Sequence, residues 1–195
     1  MNYLVTGCSR GVGLEICHVL LKQGHNVYGV ARSYTEEFKI LEQKYPNKLF
    51  FKSIDLSDSE NVRKTIFKEF ITNQIVLDGY VNNAAMAYDD IITNLNIDKL
   101  KAMYASSKGA LEAFSKDTAR EWGELGIRSN VVVPGFMETA MSSTLTENQK
   151  DRIYKRTSLK SATSIQSVAE TVAFLLSEKA SSITGQNIHV DNGTI

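Results

Sequence analysis

The chain has 195 residues, 43% of them hydrophobic and 23% charged, with 22 basic side chains balancing 22 acidic ones. That length suits one substantial core and is short for two, and the composition excludes a disordered chain. A formal net charge of zero argues against nucleic acid or an anionic membrane surface as a general partner.

Met1 to Leu4 run directly into a strand with no basic leader, and no apolar run reaches the roughly 18 residues of a membrane span, so a cytoplasmic protein is expected. Cys8 and Cys17 are the only cysteines, and free thiols in a reducing compartment are the simpler reading. His18, His25 and His189 have no metal-like spacing, so no metal site is expected.

In chain order, Asn2 to Thr6 is β-rich and leads into Gly7-Cys8-Ser9-Arg10-Gly11-Val12-Gly13 and then an apolar-periodic helix to about Gln23, stopped by Gly24. A strand that enters a helix through a glycine-rich turn places backbone N–H groups and a helix amino end under a phosphate. The phosphate-loop NTPase pattern needs a Gly-Lys-Ser/Thr that is absent, while a purely structural turn stays open on local pattern alone. Asn26 to Ala31 is a second strand, followed by Arg32. A carboxylate at this point would accept from the ribose hydroxyls of NAD. Arg32, with Arg10 in the loop, instead suits a 2′-phosphate, so NADP is favoured over NAD. Two solvated arginines are the bland alternative.

A short helix is expected within 34–47, a third strand from Lys48 to Ile54, and a helix from Ser59 to Phe70 capped by Ser57 or Asp58, with Val62, Ile66, Phe67 and Phe70 inward. Val76 to Val81 reads as a fourth strand. Further on, Ser106 to Leu125 is a helix with Leu111, Phe114, Thr118 and Trp122 on one side, and Ile127 to Val133 is a strand closed by Pro134-Gly135. A polar helical insertion covers 136–162, Ser167 to Leu176 is a helix, and Asn187 to Val190 is the last strand. This alternation predicts an α/β fold, a Rossmann-like doubly wound parallel sheet in three α/β/α layers, as one domain over 1–195. Gly7, Arg32, Asp55 and Asn83 all fall at carboxyl ends of strands, where ligands of such sheets bind.

Taken together, Thr6 to Gly13, Asp55-Leu56, Asn82-Asn83-Ala84-Ala85, Tyr104-Ala105-Ser106-Ser107-Lys108, Pro134-Gly135 with Thr139, and Thr184-Gly185 with Val190 to Gly193 resemble, in order, the motifs of the short-chain dehydrogenase/reductase family, in particular 3-oxoacyl-[acyl-carrier-protein] reductases. The resemblance implies an NADP(H)-dependent oxidoreductase that reduces a carbonyl to an alcohol. Tyr104 would protonate the carbonyl oxygen, and Lys108 would hold the nicotinamide ribose and lower the tyrosine pKa. Gly7, Ser9, Arg10, Gly11, Val12, Gly13, Arg32, Asp55, Leu56, Asn83, Ala84, Lys108, Pro134, Gly135 and Thr139 would bind the cofactor. A cation one helical turn from a tyrosine stabilises its phenolate, which agrees with that role. The resemblance also implies a homodimer or homotetramer and a small-molecule or carrier-linked carbonyl substrate, which 136–162 would cover.

The family places a long helix and a further strand between the Asn-Asn-Ala turn and the tyrosine. Here only Met86 to Met103 intervene, enough for one modest helix. One central strand and one helix fewer than the family norm are therefore expected, and the catalytic serine has no counterpart. A right-handed crossover survives such a deletion, so the strand ending at Val81 could close directly on the strand at Ile127–Val133. A continuous helix from about Asn96 to Leu125, projecting as an assembly element, is the other geometry, and a coding region shortened by roughly one βα unit is a third account. Losing the serine donor costs on the order of 3 kcal/mol in the transition state. A catalytically inactive nucleotide-binding or assembly protein and a non-functional truncated reductase are accordingly the rival readings.

Overall fold

The computed structural model describes residues 1–85, 97–139 and 142–194, with side chains of the helix that begins at Ile97 described from residue 106 onward. Its organising strand is β1 (Asn2–Thr6), whose Tyr3, Leu4 and Val5 are all buried. Successive strand side chains point to opposite faces, and the two faces carry different partners. Tyr3 and Val5 pack with Ile16, Cys17, Leu20, Ala169 and Ala173, whereas Leu4 packs with Tyr28, Val30, Ile54, Ile66 and Ile71. Each fully buried large aliphatic among them contributes about 1.5–3 kcal/mol of transfer free energy.

Around β1 stand β2 (Asn26–Ala31), β3 (Leu49–Ser53) and β4 (Gly79–Val81), all parallel, in the order β3-β2-β1-β4. The helices α1 (Gly11–Lys22) and α6 (Ile165–Leu176) pack side by side over one face. On the other face α3 (Ser59–Lys64) is capped by the Asp58 carboxylate, which accepts from Asn61 N at 3.1 Å. The helix α2 (Glu36–Lys44) follows β2 and is capped by Thr35. Helices on both faces of a parallel sheet make the Rossmann-like α/β/α architecture expected of the sequence. Among the described residues no helix is long and apolar enough to cross a membrane.

Closure of the sheet over the shortened interval does not occur. β5 (Val131–Pro134) pairs with β6 (Asn187–Val190) as a separate two-stranded parallel sheet and not with β4. The alternative geometry is the one adopted: α4 runs unbroken from Ile97 to Trp122, close to the span expected for a continuous helix.

Three local readings are corrected. The helix after Asp58 widens into a π-helix at Thr65–Phe70, closed by Ile71 N donating to Ile66 O at 2.7 Å. The change of pitch turns Phe67 outward, 50% exposed, while Ile66 stays buried. On α4 the stripe of Leu111, Phe114 and Trp122 faces outward, and the small residues Ser115 and Ala119 are the buried ones. Ser115 and Ser129 hydroxyls bond at 2.8 Å, and Glu112 accepts from Asn187 at 2.6 Å, so the helix leans on the small sheet by its polar and small side. Last, the strand expected from Ile127 begins only at Val131. The Arg128 guanidinium donates to the carbonyls of Leu175, Ser177 and Ile183, and Asn130 donates to Ile183 O, which ties that stretch to the end of α6. Within 136–162 the helical part is α5 (Glu147–Tyr154), started by a capping box of Thr146 and Gln149.

Candidate functional site at the carboxyl edge of the sheet

At the end of β1 the backbone turns at Gly7, φ +65°, and Gly7 N donates to Val30 O at 2.8 Å. A Cβ at Gly7 would stand 2.9 Å from Asn83 Nδ2, and one at Gly13 would stand 2.1 Å from Gly7 O. Both positions therefore exclude any side chain. Gly11 differs: its φ is +56°, and a Cβ there would meet nothing within 4 Å. The space above it is open, so a ligand can approach the backbone closely.

The first N–H groups of a helix have no intrahelical acceptor. For α1 the residue before the first turn is Arg10, extended and contributing no side-chain cap, so those donors and the positive end of the helix dipole face the open space. Cys8 sits in the same loop, fully buried, and burial pushes its thiol up to about 12. It stays neutral near pH 7 and places no negative charge beside an incoming phosphate.

One hydroxyl joins the first and fourth strand ends. Thr6 Oγ1 accepts from Asn83 N at 3.0 Å and Ala84 N at 2.9 Å and donates to Val81 O at 3.3 Å. The Asn83 amide completes the clasp by donating to Thr6 O at 2.9 Å and Gly7 O at 3.2 Å. Thr6 is 2% exposed, and its role as a staple was not singled out from the sequence, where it reads only as the first letter of the glycine motif.

At the second strand end, Arg10 Nη2 donates to Ser33 Oγ at 3.3 Å, and Thr35 Oγ1 donates to Ser9 O at 2.5 Å. Arg10 thereby reaches across to the stretch that holds Arg32. After β3, Asp55 accepts from Ser57 N and Ser57 Oγ at 3.0 and 2.9 Å. Those bonds, and then nearby Arg32, hold its carboxyl below the ordinary range. Leu56 follows, half-buried against the second cluster.

Beside the glycine loop opens a cavity of about 530 Å³ lined by Gly11, Leu14, Glu15, Glu138 and the 162–166 stretch that starts α6. Thr163, 4% exposed, lies at this cavity with its hydroxyl unpartnered among the described residues, and a Cβ at Gly135 would come within 2.6 Å of it. Nothing in the sequence pattern marks Thr163. Glu138 faces Lys150 at 3.7 Å and accepts from the Tyr154 hydroxyl. The tyrosine bond and then the lysine charge keep its carboxyl low.

The structure thus brings Gly7, Ser9, Arg10, Gly11, Val12, Gly13, Asn83 and Ala84 together in one cradle, with Arg32, Asp55 and Leu56 at the neighbouring strand ends. Pro134 and Gly135 close β5 on the other sheet. Thr139 lies in the loop beyond, with its N–H donating to Ser142 Oγ at 2.9 Å. Tyr104 and Lys108 stand one turn apart on α4, and the tyrosine side chain lies outside the described residues. Among the described residues no group of three His, Cys, Asp or Glu could hold a metal ion. For a dinucleotide the fit is good: the two glycines that cannot carry a side chain, the open space over Gly11 and the uncapped start of α1 together form a phosphate cradle.

Comparison with known proteins agrees with this geometry. The family model described as short chain dehydrogenase matches residues 2–103, and that described as enoyl-(acyl carrier protein) reductase matches residues 91–194. The 3-oxoacyl-[acyl-carrier-protein] reductase FabG of Salmonella typhimurium is 30% identical over 236 residues, which cover 97% of this chain and 95% of that protein. FabG of Escherichia coli is 31% identical with the same coverage. FabG of Staphylococcus aureus is 29% identical over 237 residues, 97% of this chain and 96% of that protein. These alignments run over more positions than the 195 residues of the chain, so the relatives carry residues that have no counterpart in it.

Proposed function

The chain belongs to the short-chain dehydrogenase/reductase family, and from that premise we propose that it is an NADP(H)-dependent oxidoreductase that reduces a ketone, of the 3-oxoacyl thioester class, to an alcohol. The observation that carries the reading is the cradle formed by Gly7, Gly11, Gly13, Thr6 and Asn83 at the uncapped start of α1. The α1 N–H groups hold the diphosphate, and Arg10 with Arg32 pairs the 2′-phosphate, a charge-assisted contact that NAD does not offer. Asp55 and Leu56 border the adenine. Asn83, Ala84, Pro134, Gly135 and Thr139 border the nicotinamide half.

NADPH, when bound, supplies the hydride. Tyr104 donates its phenolic proton to the carbonyl oxygen, and the Lys108 ammonium favours the phenolate that remains. Among the described residues we assign none to the place of the family's serine, so a turnover about 100-fold below that of a complete site is expected, the cost of one missing oxyanion donor. The outward stripe of Leu111, Phe114 and Trp122 on α4 supports a homodimer through that helix. The two buried free thiols suit a reducing, cytoplasmic setting. The chain acts as one domain, in which 136–162 covers the substrate.

Binding and turnover test separate halves of the reading. Fluorescence titration should give tighter binding of NADPH than NADH, with the preference lost in Arg10→Ala/Arg32→Ala; equal affinities would overturn the NADP assignment. Oxidation of NADPH with a β-keto thioester should be abolished by Tyr104→Phe. The separation of β5–β6 from the main sheet favours a second reading, a nucleotide-binding protein without turnover. NADPH binding with no oxidation in the wild-type chain would establish that one instead.

A further inference from the structure

Two helices start at one cavity. α1 and α6 pack side by side, and the cavity of about 530 Å³ beside the glycine loop is lined both by Gly11, the first residue of α1, and by Ile165 and Gln166, the first two of α6. Packed helices stand about 8–10 Å apart, so two sets of first-turn donors and two positive dipole ends converge on the same space. Within α6 the Ser164 hydroxyl takes up Ser167 N, at 3.3 Å. Ile165 and Gln166, which precede it, are the residues at the cavity.

Thr163, just before that cap, adds a group that the fold leaves unsatisfied. It lines the cavity, is 4% exposed, and its Oγ1 has no hydrogen-bond partner among the described residues. The Thr163 N–H is accounted for, donating to Phe136 O at 2.7 Å. A buried hydroxyl without a partner is a cost that folding ordinarily avoids, and valine would fill the same shape without it. Its place also says which part of a ligand it meets. A Cβ at Gly135 would come within 2.6 Å of Thr163 Oγ1, so the hydroxyl stands beside the residues that close β5, across the site from Arg32 and Asp55 at the ends of β2 and β3.

Two carboxylates, Glu15 and Glu138, line the cavity as well. Glu138 accepts from the Tyr154 hydroxyl and faces Lys150 at 3.7 Å, and Glu15 faces His18 Nδ1 at 3.7 Å. Ionised carboxylates accept and never donate, so the cavity offers helix-end donors together with acidic acceptors. A free phosphate suits the first and is repelled by the second. A phosphate ester that carries ribose hydroxyls matches both.

We propose that Thr163 is a further cofactor-positioning residue, whose hydroxyl donates to the nicotinamide-side phosphate of the dinucleotide where it lies between the amino ends of α1 and α6. This rests on the dinucleotide reading given above and adds to it a contact that lies outside the glycine motif. In the free chain the hydroxyl has nothing to lose, and in the bound chain it makes a charge-assisted bond.

Thr163→Val keeps the shape and removes the oxygen, and the two states should respond with opposite signs. Without ligand the melting temperature should be unchanged or about 2–4 °C higher, while fluorescence titration should give NADPH binding weakened about tenfold. Thr163→Ser, which keeps the donor, should restore the affinity. Adenosine 2′,5′-bisphosphate lacks the nicotinamide-side phosphate and should bind the wild-type and valine chains alike. In the wild-type chain, NMR should show the Thr163 methyl signal moving with NADPH and not with that bisphosphate or with inorganic phosphate, so a poorly folding variant does not weaken the test. Equal NADPH affinity in the valine variant, a lower melting temperature of the free variant, which would mean that a buried water already serves the hydroxyl, or a shift caused by inorganic phosphate alone would each overturn the proposal and leave dinucleotide binding standing. Failure of the wild-type chain to bind NADPH would overturn the dinucleotide reading, and the proposal with it.

Discussion

Replacing Thr6 by Val tests whether one hydroxyl holds the first and fourth strand ends in the geometry of the cradle. Valine keeps the shape and removes the oxygen. Ala84 N loses its acceptor at 2.9 Å, while Asn83 N loses one at 3.0 Å and keeps Val81 O at 3.1 Å. A buried donor left unsatisfied costs about 1–3 kcal/mol, and a weakened shared bond about 0.5 kcal/mol more. Both residues are half-buried, which lets water recover part, so a loss of about 2 kcal/mol is expected. For a domain of this size that is a fall of roughly 4–8 °C in melting temperature. Thr6→Ser is the control: it keeps the oxygen and sacrifices a methyl worth about 0.8 kcal/mol. Thermal unfolding with and without NADPH reads both effects, and the valine variant should also lose part of the NADPH-dependent rise in midpoint. A valine variant within about 0.5 kcal/mol of wild type, or a serine variant damaged as much as valine, would refute the role given to the hydroxyl.

Gly13→Ala drives a Cβ to 2.1 Å from Gly7 O, so the glycine loop must shift; an overpacking loss of about 1–3 kcal/mol should come with loss of NADPH binding by fluorescence titration. Arg128→Met removes the donor to the carbonyls of Leu175, Ser177 and Ile183 and should cost about 2–4 kcal/mol in urea unfolding, since charged donors are worth more than neutral ones. Burial pushes the Cys8 thiol up to about 12 and raises that of Cys17 as well. Groups raised in the folded state stabilise fully below their unfolded pKa, near 8.5, and lose that contribution as pH climbs toward the folded value. The urea midpoint should therefore fall as pH rises from about 8.5 toward the folded Cys8 value of about 12, less steeply in Cys8→Ser/Cys17→Ser, and both thiols should resist a thiol reagent at pH 7 until the chain unfolds. Ser57→Ala removes a donor to Asp55, so the Asp55 carboxyl should move up toward its ordinary value in an NMR titration; no movement would show that the N–H bond and Arg32 suffice.

Local pattern carried much of the fold. The strand Asn26–Ala31 and the strand Asn187–Val190 lie where alternation and turn residues put them, and of the two caps the sequence offered, Ser57 and Asp58, it is Asp58 that caps the helix. The glycine cradle was legible too, because left-handed turns and close backbone approach demand residues without a Cβ, and that demand is written into the spacing. Against the spacing of the family that the motifs resemble, the interval from Ala85 to Tyr104 is short by about one helix and one strand.

Only the tertiary structure decided what the chain does about that shortage. Strand pairing depends on where a connection delivers the next strand, and that is a property of the whole path, so the sequence allowed either a closed sheet or a long helix. Among the described residues β5 pairs with β6 and not with β4, and Leu111, Phe114 and Trp122 of α4 face outward, because an apolar stripe is buried only if a layer stands opposite it. Thr6 and Thr163 became visible for the same reason. A hydroxyl declares its role by the groups that surround it, and residues 77 and 78 positions away in the chain surround Thr6.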